Sequence, residues 1–414
     1  MKFRVLTESE YQNFYDTYRQ ASFMHSLEFA KWRQEYHNIM HLVGIEEAGV
    51  IIAAALILEE KTALKKKKFY APRGLMVDYH NVKVLSFFTH ELKQYIKRRG
   101  GFTFIMDPNV IYQIRDSDGK VDFNQKKDEQ TIQNLLQLGY KHHGFNTCQY
   151  RWGCRMLLDE DYEIKKSRFS KSTKRNINNC IKKGVVVRKG TILDLIKMVD
   201  LFESDSEREN SGFHRLLYYQ KLYQYMCPLM TVYIAYLKPD IYYQSSLNLY
   251  EYEKRNNRDL EKKINRGPVG KRLLYQKETS DKLLLKYDHE MRRALALQEK
   301  YPQGKDIGYL LSIRSGNEYL TFSSKVLPEY KSFTPNYLMY QYHIQDAYRE
   351  GFQYCHFNEI VGDFHPTSKH YGLYEFKKGF GGNVIEYVGR FELKLESFFT
   401  IYKFLKKDKR ITRK

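Results

Sequence analysis

The chain contains few cysteines, and none of them form a close pair. Cysteine accounts for 5 of the 414 residues, an odd number, and no two cysteines are separated by only two residues. Zinc sites and disulfide-stapled folds depend on cysteines paired at short, regular spacing, so the sequence argues against both classes. We therefore expect free thiols in a reducing compartment and no metal site.

Long apolar runs are also missing. The longest, residues 50–58, covers nine residues, whereas roughly 20 are needed to cross a bilayer. The amino-terminal stretch turns polar after six residues and lacks the apolar core of a signal peptide. These features predict a cytoplasmic protein, with peripheral contact with a membrane left open.

Acidic residues are too few to balance the basic ones. Lysine and arginine number 69 against 49 aspartates and glutamates, which leaves a net charge of +20. The content of hydrophobic residues, 42%, with 36 tyrosines and 25 phenylalanines, is too high for a disordered basic tail. The length predicts two to three folded domains, and the charge predicts an anionic partner.

Strand-like and helix-like stretches alternate along the first part of the chain. Residues 41–45 and 50–59 form a predicted strand pair around a Glu-Ala-Gly turn, 83–98 has helical periodicity, and 102–107 is an apolar strand. A second unit with a similar order of elements begins near residue 155. The pattern predicts a mixed α/β protein in which one fold has been duplicated.

A highly charged segment, residues 251–300, interrupts this alternation. Within it, eight mainly apolar or small side chains, with Lys277 and Gln298 among them, recur at alternating steps of four and three, which is the heptad rhythm of a coiled-coil seam. The seam residues are Leu273, Lys277, Ser280, Leu284, Tyr287, Met291, Ala294 and Gln298. An Arg-Gly-Pro-Val-Gly sequence at 266–270 breaks the helical pattern before that seam. We predict an antiparallel helical hairpin over residues 245–302, inserted as an arm into the second unit.

Six ordered stretches of the chain resemble the Fem/Mur (FemABX) aminoacyltransferases, the tRNA-dependent enzymes that add amino acids to the side peptide of bacterial peptidoglycan precursors. The stretches are 41–58 (HLVGIEEAGVIIAAALIL), 69–79 (FYAPRGLMVDY), 104–108 (FIMDP), 174–188 (KRNINNCIKKGVVVR), 212–222 (GFHRLLYYQKL) and 374–389 (YEFKKGFGGNVIEYVG). They span nearly the whole chain, and the helical arm occupies the family's position. Together they are far more specific than any one motif.

The resemblance implies two acetyltransferase-like (GNAT) domains that face each other across a groove. The first would cover residues 1–155 and the second 156–394, with a carboxyl-terminal helix, 395–414, packing on the first domain. The resemblance also implies an aminoacyl-tRNA donor, a peptidoglycan precursor such as lipid II as acceptor, and no metal or other cofactor. Because that terminal helix is basic and amphipathic, contact with anionic lipid is the alternative to packing.

Candidate catalytic residues follow from the same resemblance. Asp107 ends an apolar strand, where a carboxylate could bind the attacking amine and accept its proton; an Asp-Pro turn cap is the structural alternative. Lys377 and Lys378 lie in a glycine-rich stretch, where an ammonium could stabilise the oxyanion or hold the acceptor end of tRNA. The resemblance does not choose between those two roles.

Candidate binding residues are basic or aromatic. The resemblance places Lys31 and Arg215 as cations that hold the diphosphate of the precursor, with Tyr218 beside them in the same stretch. A basic segment is predicted to contact tRNA phosphates; its members are Lys171, Lys174, Arg175, Lys182 and Lys183. An ordinary solvated helix face is the alternative for that segment.

Two other functions compete with the aminoacyltransferase. A non-catalytic coiled-coil protein that binds RNA or a membrane would need the same charge and the same arm. An acetyl-CoA-dependent acetyltransferase would share the α/β pattern, but the sequence lacks the Q/R-x-x-G-x-G/A turn that binds the pyrophosphate. Histidines 356, 365 and 370 have poor spacing for zinc, and the nearby Glu359 and Asp363 are expected at most to line the groove.

Overall fold

The structure, a computed structural model, describes residues 1–62, 66–121, 126–145, 151–202 and 215–395. The side chains of residues 201, 202 and 215 are outside that description. The predicted carboxyl-terminal helix, from residue 396 onward, also lies outside the described residues.

The first sheet has seven strands in the described part of the chain. They are β1 (Lys2–Val5), β2 (Ile39–Glu47), β3 (Val50–Lys61), β4 (Lys67–Ala71), β5 (Gly101–Met106), β7 (Lys141–His142) and β15 (Phe391–Lys394). Their spatial order is β1-β2-β3-β4-β5-β15-β7. Neighbouring strands are antiparallel except for the parallel pair β4 and β5.

The second sheet has eight described strands. They are β6 (Ile111–Arg115), β8 (Trp152–Leu157), β9 (Val185–Gly190), β10 (Met230–Leu237), β11 (Lys305–Ser315), β12 (Glu318–Val326), β13 (Tyr354–Glu359) and β14 (Asn383–Tyr387). Their spatial order is β6-β14-β8-β13-β12-β11-β10-β9. Here too a single neighbouring pair, β12 and β13, is parallel.

Helices cover the sheets and form the arm. They are α1 (Glu8–Thr17), α2 (Leu27–Gln34), α3 (Val82–Arg98), α4 (Glu129–Gln137), α5 (Tyr162–Ser167), α6 (Lys171–Lys182), α7 (Ile192–Phe202), α8 (Arg215–Met226), α9 (Pro239–Arg266), α10 (Lys271–Lys300), α11 (Pro335–Arg349) and α12 (Tyr371–Lys378). Two 3₁₀ turns are Phe23–His25 and Pro328–Phe333. Side-chain caps start several helices, as where Asn81 accepts a hydrogen bond from the Val84 amide at the start of α3.

The two sheets contain the same succession of elements. In the first, β2, β3 and β4 are antiparallel, α3 follows, and β5 returns parallel to β4. In the second, β10, β11 and β12 are antiparallel, α11 follows, and β13 returns parallel to β12. This repetition supports the duplication that the sequence suggests, and it makes the ends of β5 and β13 equivalent positions.

The arm is inserted at one of the turns of this repeated unit. In the first sheet a tight turn at Ala48 and Gly49, both with positive φ, joins β2 to β3. In the second sheet α9 and α10 occupy the equivalent connection between β10 and β11. The hairpin therefore starts at Pro239 rather than near residue 245. Every predicted seam residue of α10 is at least partly buried, whereas most of its other residues are exposed.

Strands cross between the lobes near both ends of the second unit. β6 precedes residue 155 in sequence yet pairs with β14 in the second sheet, and β15 follows the second lobe yet pairs with β5 in the first. The predicted boundary at residue 155 stays a prediction, because sheet membership does not change there in one step. This exchange ties the two lobes together.

A hydrophobic core runs from the first lobe into the second. It includes Phe23 and Trp32 of the first lobe together with residues of β10 to β13 and α11. Phe23 stacks edge-on against Phe322 of β12 at 6.1 Å, and its amide donates to Ser315 Oγ at 3.0 Å. A separate core lies under α3 on the other side of the first sheet. The surfaces that face each other between the lobes are thus held by direct packing.

Candidate active site

The carboxyl ends of two parallel strands, β4 and β5, bring Arg73 and Asp107 together. Asp107 directly follows β5, and Arg73 follows β4 by two residues. The Arg73 amide donates to Asp107 Oδ1 at 3.3 Å, and the hydroxyl of Tyr70 donates to the same oxygen at 2.7 Å. Asp107 Oδ2 accepts no hydrogen bond from the part of the chain that the structure describes. One carboxylate oxygen is therefore left for a ligand.

Asp107 is almost fully buried, with 7% of its surface exposed. Burial raises the pKa of its carboxyl, while the charge of Arg73 and the hydrogen bond from Tyr70 act in the opposite direction. A buried carboxylate with a raised pKa is a better proton acceptor than an exposed one.

A cavity of about 470 Å³ opens at Asp107, between the two lobes. Its charged lining consists of three cations and two carboxylates. They are Arg33, Lys68, Arg390, Glu60 and Asp107. Glu60 lies 3.6 Å from Arg33 and 3.4 Å from Lys68. This first cavity therefore offers cations to an anionic group and a buried carboxylate to an amine.

A second cavity, of about 220 Å³, lies next to the first. Both are lined by Phe23, Met24 and Phe322, so these side chains stand between them. The polar lining of the second cavity comes mainly from the other lobe. It comprises Ser22, Arg73, Asn109, Ser315, Glu318, His356, Asn358, Glu359 and Tyr387. Arg73 thus contributes its amide to the first site and its side chain to the second.

The adjacent lysines 377 and 378 have different environments. Lys377 is 4% exposed, and its ammonium donates to the backbone carbonyl of Glu359 at 2.5 Å. Burial lowers the pKa of Lys377 to about 8. Lys378 forms an ion pair with Asp118 at 2.6 Å nearer the surface. Lys377 therefore lies directly behind the wall of the second cavity, and Lys378 does not.

The predicted precursor-binding residues are not all brought together. Tyr218 lines the first cavity and packs edge-on against Trp32 at 5.5 Å. Lys31 instead pairs with Glu8 at 2.9 Å, is not among the residues that line the cavity, and keeps 44% of its side chain exposed. Arg215 begins α8, but its side chain is outside the described residues.

Arg33, two residues after Lys31 on α2, is the cation of this helix that lines the first cavity. Residues 29, 32 and 33 are spaced by three and four along α2, so they share one helix face, and all three line the cavity. Lys31 falls on a different face. Helical spacing from the buried Phe29 and Trp32 is the sequence signal that could have identified Arg33.

The predicted tRNA-binding segment forms a cationic helix face. In α6, Thr173, Ile177 and Cys180 are buried, and no acidic residue occurs between residues 171 and 182. The exposed cations on the helix are Lys171, Lys174, Arg175 and Lys182. Lys183 differs, because it is half-buried and lies 3.6 Å from Glu290 of the arm.

The histidines near the end of the chain do not cluster. His356 is buried on β13, where burial lowers its pKa to about 4, whereas His365 and His370 are exposed. Among the residues that the structure describes, no group of three histidine, cysteine, aspartate or glutamate side chains could hold a metal ion. No helix in those ranges combines the length and apolarity needed to span a membrane.

Sequence reasoning missed several residues of the two cavities. Arg73 lies in the quoted 69–79 stretch, where an Arg-Gly pair after a strand end was a usable signal. Arg390 and Glu318 carried no such signal, because pairing of β15 with β5 and of β12 with β13 brings them to the site.

Comparison with known proteins agrees with this architecture. The model of the FemAB family matches residues 6–407. Aminoacyltransferase FemA of Staphylococcus epidermidis (strain RP62A) is 27% identical, with 99% of this chain and 100% of the relative aligned. FemA of Staphylococcus aureus (strain bovine RF122) is 26% identical over 94% of each.

The fold likewise has a solved counterpart. A crystal structure of FemX superposes with a TM-score of 0.74 at 19% identity, over 97% of this chain and 99% of that one. The predicted fold class is confirmed in its two α/β lobes, each built on one sheet, and in its inserted helical hairpin, by the two sheets, the hairpin and this likeness. Because the family match extends over nearly the whole length, the chain belongs to the FemAB family.

Proposed function

We propose that this aminoacyltransferase moves an amino acid from aminoacyl-tRNA to an amine of a peptidoglycan precursor, in the cleft between the two lobes. The transferase activity and the precursor as partner follow from membership of the FemAB family and from the full-length FemA relatives. The aminoacyl-tRNA donor, the exact acceptor amine and the roles of individual residues are part of the proposal. The observation that carries it is the buried Asp107, which lines a cavity with three cations and has one oxygen that accepts no hydrogen bond from the described residues.

The reaction needs alignment and proton transfer. The amine nitrogen attacks the ester carbonyl, and a tetrahedral oxyanion forms. The ester bond to the ribose then breaks as the amide forms; the amine loses a proton, and the ribose oxygen gains one. No cofactor is needed, because the ester is already activated.

Asp107 would bind the incoming ammonium and take its proton. Its raised pKa and its burial beside Arg73 suit this role. Lys377 would stabilise the oxyanion, since it is a buried cation beside the second cavity. Its ammonium now contacts the Glu359 carbonyl, so this role requires it to reach past that residue. Lys378, paired with Asp118, is the weaker candidate for the same role.

The first cavity would hold the precursor. Arg33, Lys68 and Arg390 can contact phosphate, and the buried Nε of Arg390 has no hydrogen-bond partner among the described residues. Lys31 is predicted for the same phosphates, although it does not line the first cavity. Arg215 is predicted for them as well. Tyr218 would form an aromatic wall beside Trp32.

The exposed face of α6 would contact tRNA phosphates. Lys171, Arg175 and Lys182 form no ion pair with any residue of the described ranges, so their charges are available to a polyanion. Contact of the protein with the membrane that carries lipid II belongs to the same proposal and is supported by the surplus of basic residues.

A transfer assay tests the proposal. Purified protein is incubated with lipid II and with tRNA charged with glycine, alanine or serine, in separate reactions. Mass spectrometry then measures the mass of the stem peptide. We expect a gain of one amino-acid residue with at least one of the charged tRNAs. Transfer from acetyl-CoA alone would contradict the proposal, as would no transfer from any charged tRNA.

A further inference from the structure

The two cavities contain four carboxylates, and one of them has no partner. Asp107 accepts hydrogen bonds from Tyr70 and Arg73, and Glu60 lies near two cations. Glu318 pairs with Arg155 at 2.8 Å. Glu359, in the second cavity, forms no ion pair and accepts no side-chain hydrogen bond from the residues that the structure describes. A buried or half-buried carboxylate normally has a partner, so a cationic ligand is expected there.

The cations near Glu359 are engaged elsewhere. The ammonium of Lys377 donates to the backbone carbonyl of Glu359, not to its carboxylate. The guanidinium of Arg73 donates to Asn109 at 2.8 Å and lies over the ring of Tyr387 at 4.1 Å. Burial raises the pKa of Glu359, and the charges of Lys377 and Arg73 counteract that rise. These two cations therefore favour the ionised carboxylate without bonding to it.

The backbone holds Glu359 in a distorted strand end. Asn358 has φ of 62°, a left-handed conformation that asparagine adopts more readily than most residues, and the pairing of β13 with β8 shifts between His356 and Glu359. Two hydrogen bonds fix Asn358, from its amide to His356 Nδ1 at 2.9 Å and from its side chain to the Phe322 carbonyl at 3.3 Å. The irregular strand end therefore sets the position of Glu359.

The repeated fold makes Glu359 the counterpart of Asp107. Asp107 follows β5, and Glu359 ends β13, the equivalent strand of the second lobe. Both strands are the parallel partner of their neighbour, and both ends face the space between the lobes. The duplicated unit thus presents one carboxylate from each lobe.

From this pairing we infer that the second cavity binds the aminoacyl group of the donor and that Glu359 holds its α-ammonium. The inference rests on the proposed function and adds a site for the second amine of the reaction. Near neutral pH a large fraction of such α-amines is protonated. Holding that amine on Glu359 keeps it from acting as a nucleophile while Asp107 activates the acceptor amine.

The size of the second cavity agrees with this assignment. At about 220 Å³ it is smaller than the roughly 300–1,000 Å³ of pockets for drug-sized ligands. It suits a small aminoacyl group, and it is too small for a nucleotide or a stem peptide. Phe23 and Phe322 line both cavities, so the aminoacyl site would lie next to the site of the acceptor.

The test compares two donors that differ in one group. The charged tRNA that supports transfer is compared with the same tRNA carrying the α-hydroxy analogue of its amino acid. We expect wild-type kcat/KM to fall roughly tenfold or more with the hydroxy donor, the size expected for a lost hydrogen bond to a charged group. In Glu359→Gln the kcat/KM values for the two donors should become nearly equal, because kcat/KM for the amine donor falls.

Asp363→Asn is the matched control, because Asp363 is an exposed carboxylate four residues away that lines neither cavity. Asp363→Asn should keep the wild-type ratio of kcat/KM for the amine donor to kcat/KM for the hydroxy donor. Equal kcat/KM values for the two donors in the wild type would overturn the inference. This measurement needs no variant, so it does not depend on whether Glu359→Gln folds. An unchanged ratio in folded Glu359→Gln would also overturn it, while the proposed function would stand. Failure of all transfer by the wild type would overturn both.

Discussion

The two cavities between the lobes are neighbours, yet their charged groups are arranged differently. The first has three cations and two carboxylates, each carboxylate already near a partner. The second has one lining cation, Arg73, and a carboxylate, Glu359, with no side-chain partner among the described residues. The duplicated fold thus places a carboxylate at equivalent strand ends, while the charged neighbours differ between the two lobes.

The largest effect is expected at Asp107, the carboxylate of the first cavity. Asp107→Asn keeps the shape and removes the proton acceptor, so kcat should fall by about 10²–10⁴-fold. Single-turnover transfer measures it, with thermal melting as the check on folding. Asp118→Asn, which alters a carboxylate that pairs with Lys378 nearer the surface, should stay close to wild type. Equal losses in both variants would remove Asp107 from the chemistry.

The next effect separates the two neighbouring lysines. Lys377→Met should lower kcat by about 10²–10³-fold, as expected when one donor to an oxyanion is lost. Lys378→Met should have little effect, because its surface ion pair contributes at most about 1 kcal/mol. Equal kcat values for the two variants would contradict the assignment of Lys377, rather than Lys378, to the oxyanion.

The pH dependence of kcat tests the role of the Lys377 charge in the wild-type protein, without a substitution at that residue. Its pKa is lowered to about 8, so the charged form is present below that pH and is lost above it. If the charge stabilises the oxyanion, kcat of the wild type should fall as pH rises through about 8, and Lys378→Met should show the same decline. A kcat that keeps rising to pH 10 would show that the charged form of Lys377 does not stabilise the oxyanion.

A smaller effect distinguishes Arg33 from Lys31 on the same helix. Arg33→Ala removes a cation that lines the first cavity, so the Kd for the precursor should rise about tenfold. Lys31→Ala removes a half-exposed cation that pairs with Glu8 outside the cavity lining, and it should change the Kd much less. Calorimetric titration of each variant measures both. A larger loss from Lys31→Ala would move the phosphate site toward the mouth of the cleft.

The smallest effect lies outside both cavities, on α6. Replacing Lys171, Arg175 and Lys182 by Gln should weaken tRNA binding and reduce the slope of log K against log salt by about 2 to 3, since each phosphate contact contributes roughly 0.7–0.9. Precursor affinity should not change. An unaltered slope would leave the face as an ordinary solvated surface.

Much of the fold could be predicted because local patterns carry it. The heptad steps of α10 identify the side that faces α9, and they are correct because a helix places residues three and four apart on one face. Inside the arm, Asn257 also donates to Ser280 at 3.1 Å and to Asp281 at 2.7 Å. That polar contact needs both helices, so the sequence of either one does not reveal it.

The site was predictable only where a residue's position along its own element decides its place. Asp107 ends a strand and lies at the cavity, as expected. Lys31 stays a prediction for the precursor phosphates, whereas Arg33 shares the helix face of Phe29 and Trp32 and lines the cavity. For the adjacent Lys377 and Lys378, the environments differ through contacts with Glu359 and Asp118, which are distant in sequence.

Composition and periodicity by themselves determined the α/β class, the basic surface and the helical arm, because these depend on residues within one or two turns or strands of each other. The tertiary structure decided which charges meet. Arg390 reaches the first cavity, and Glu318 and Glu359 reach the second, because strands far apart in the chain pair side by side. The free energy of a buried charge depends on those neighbours, and no local pattern encodes them.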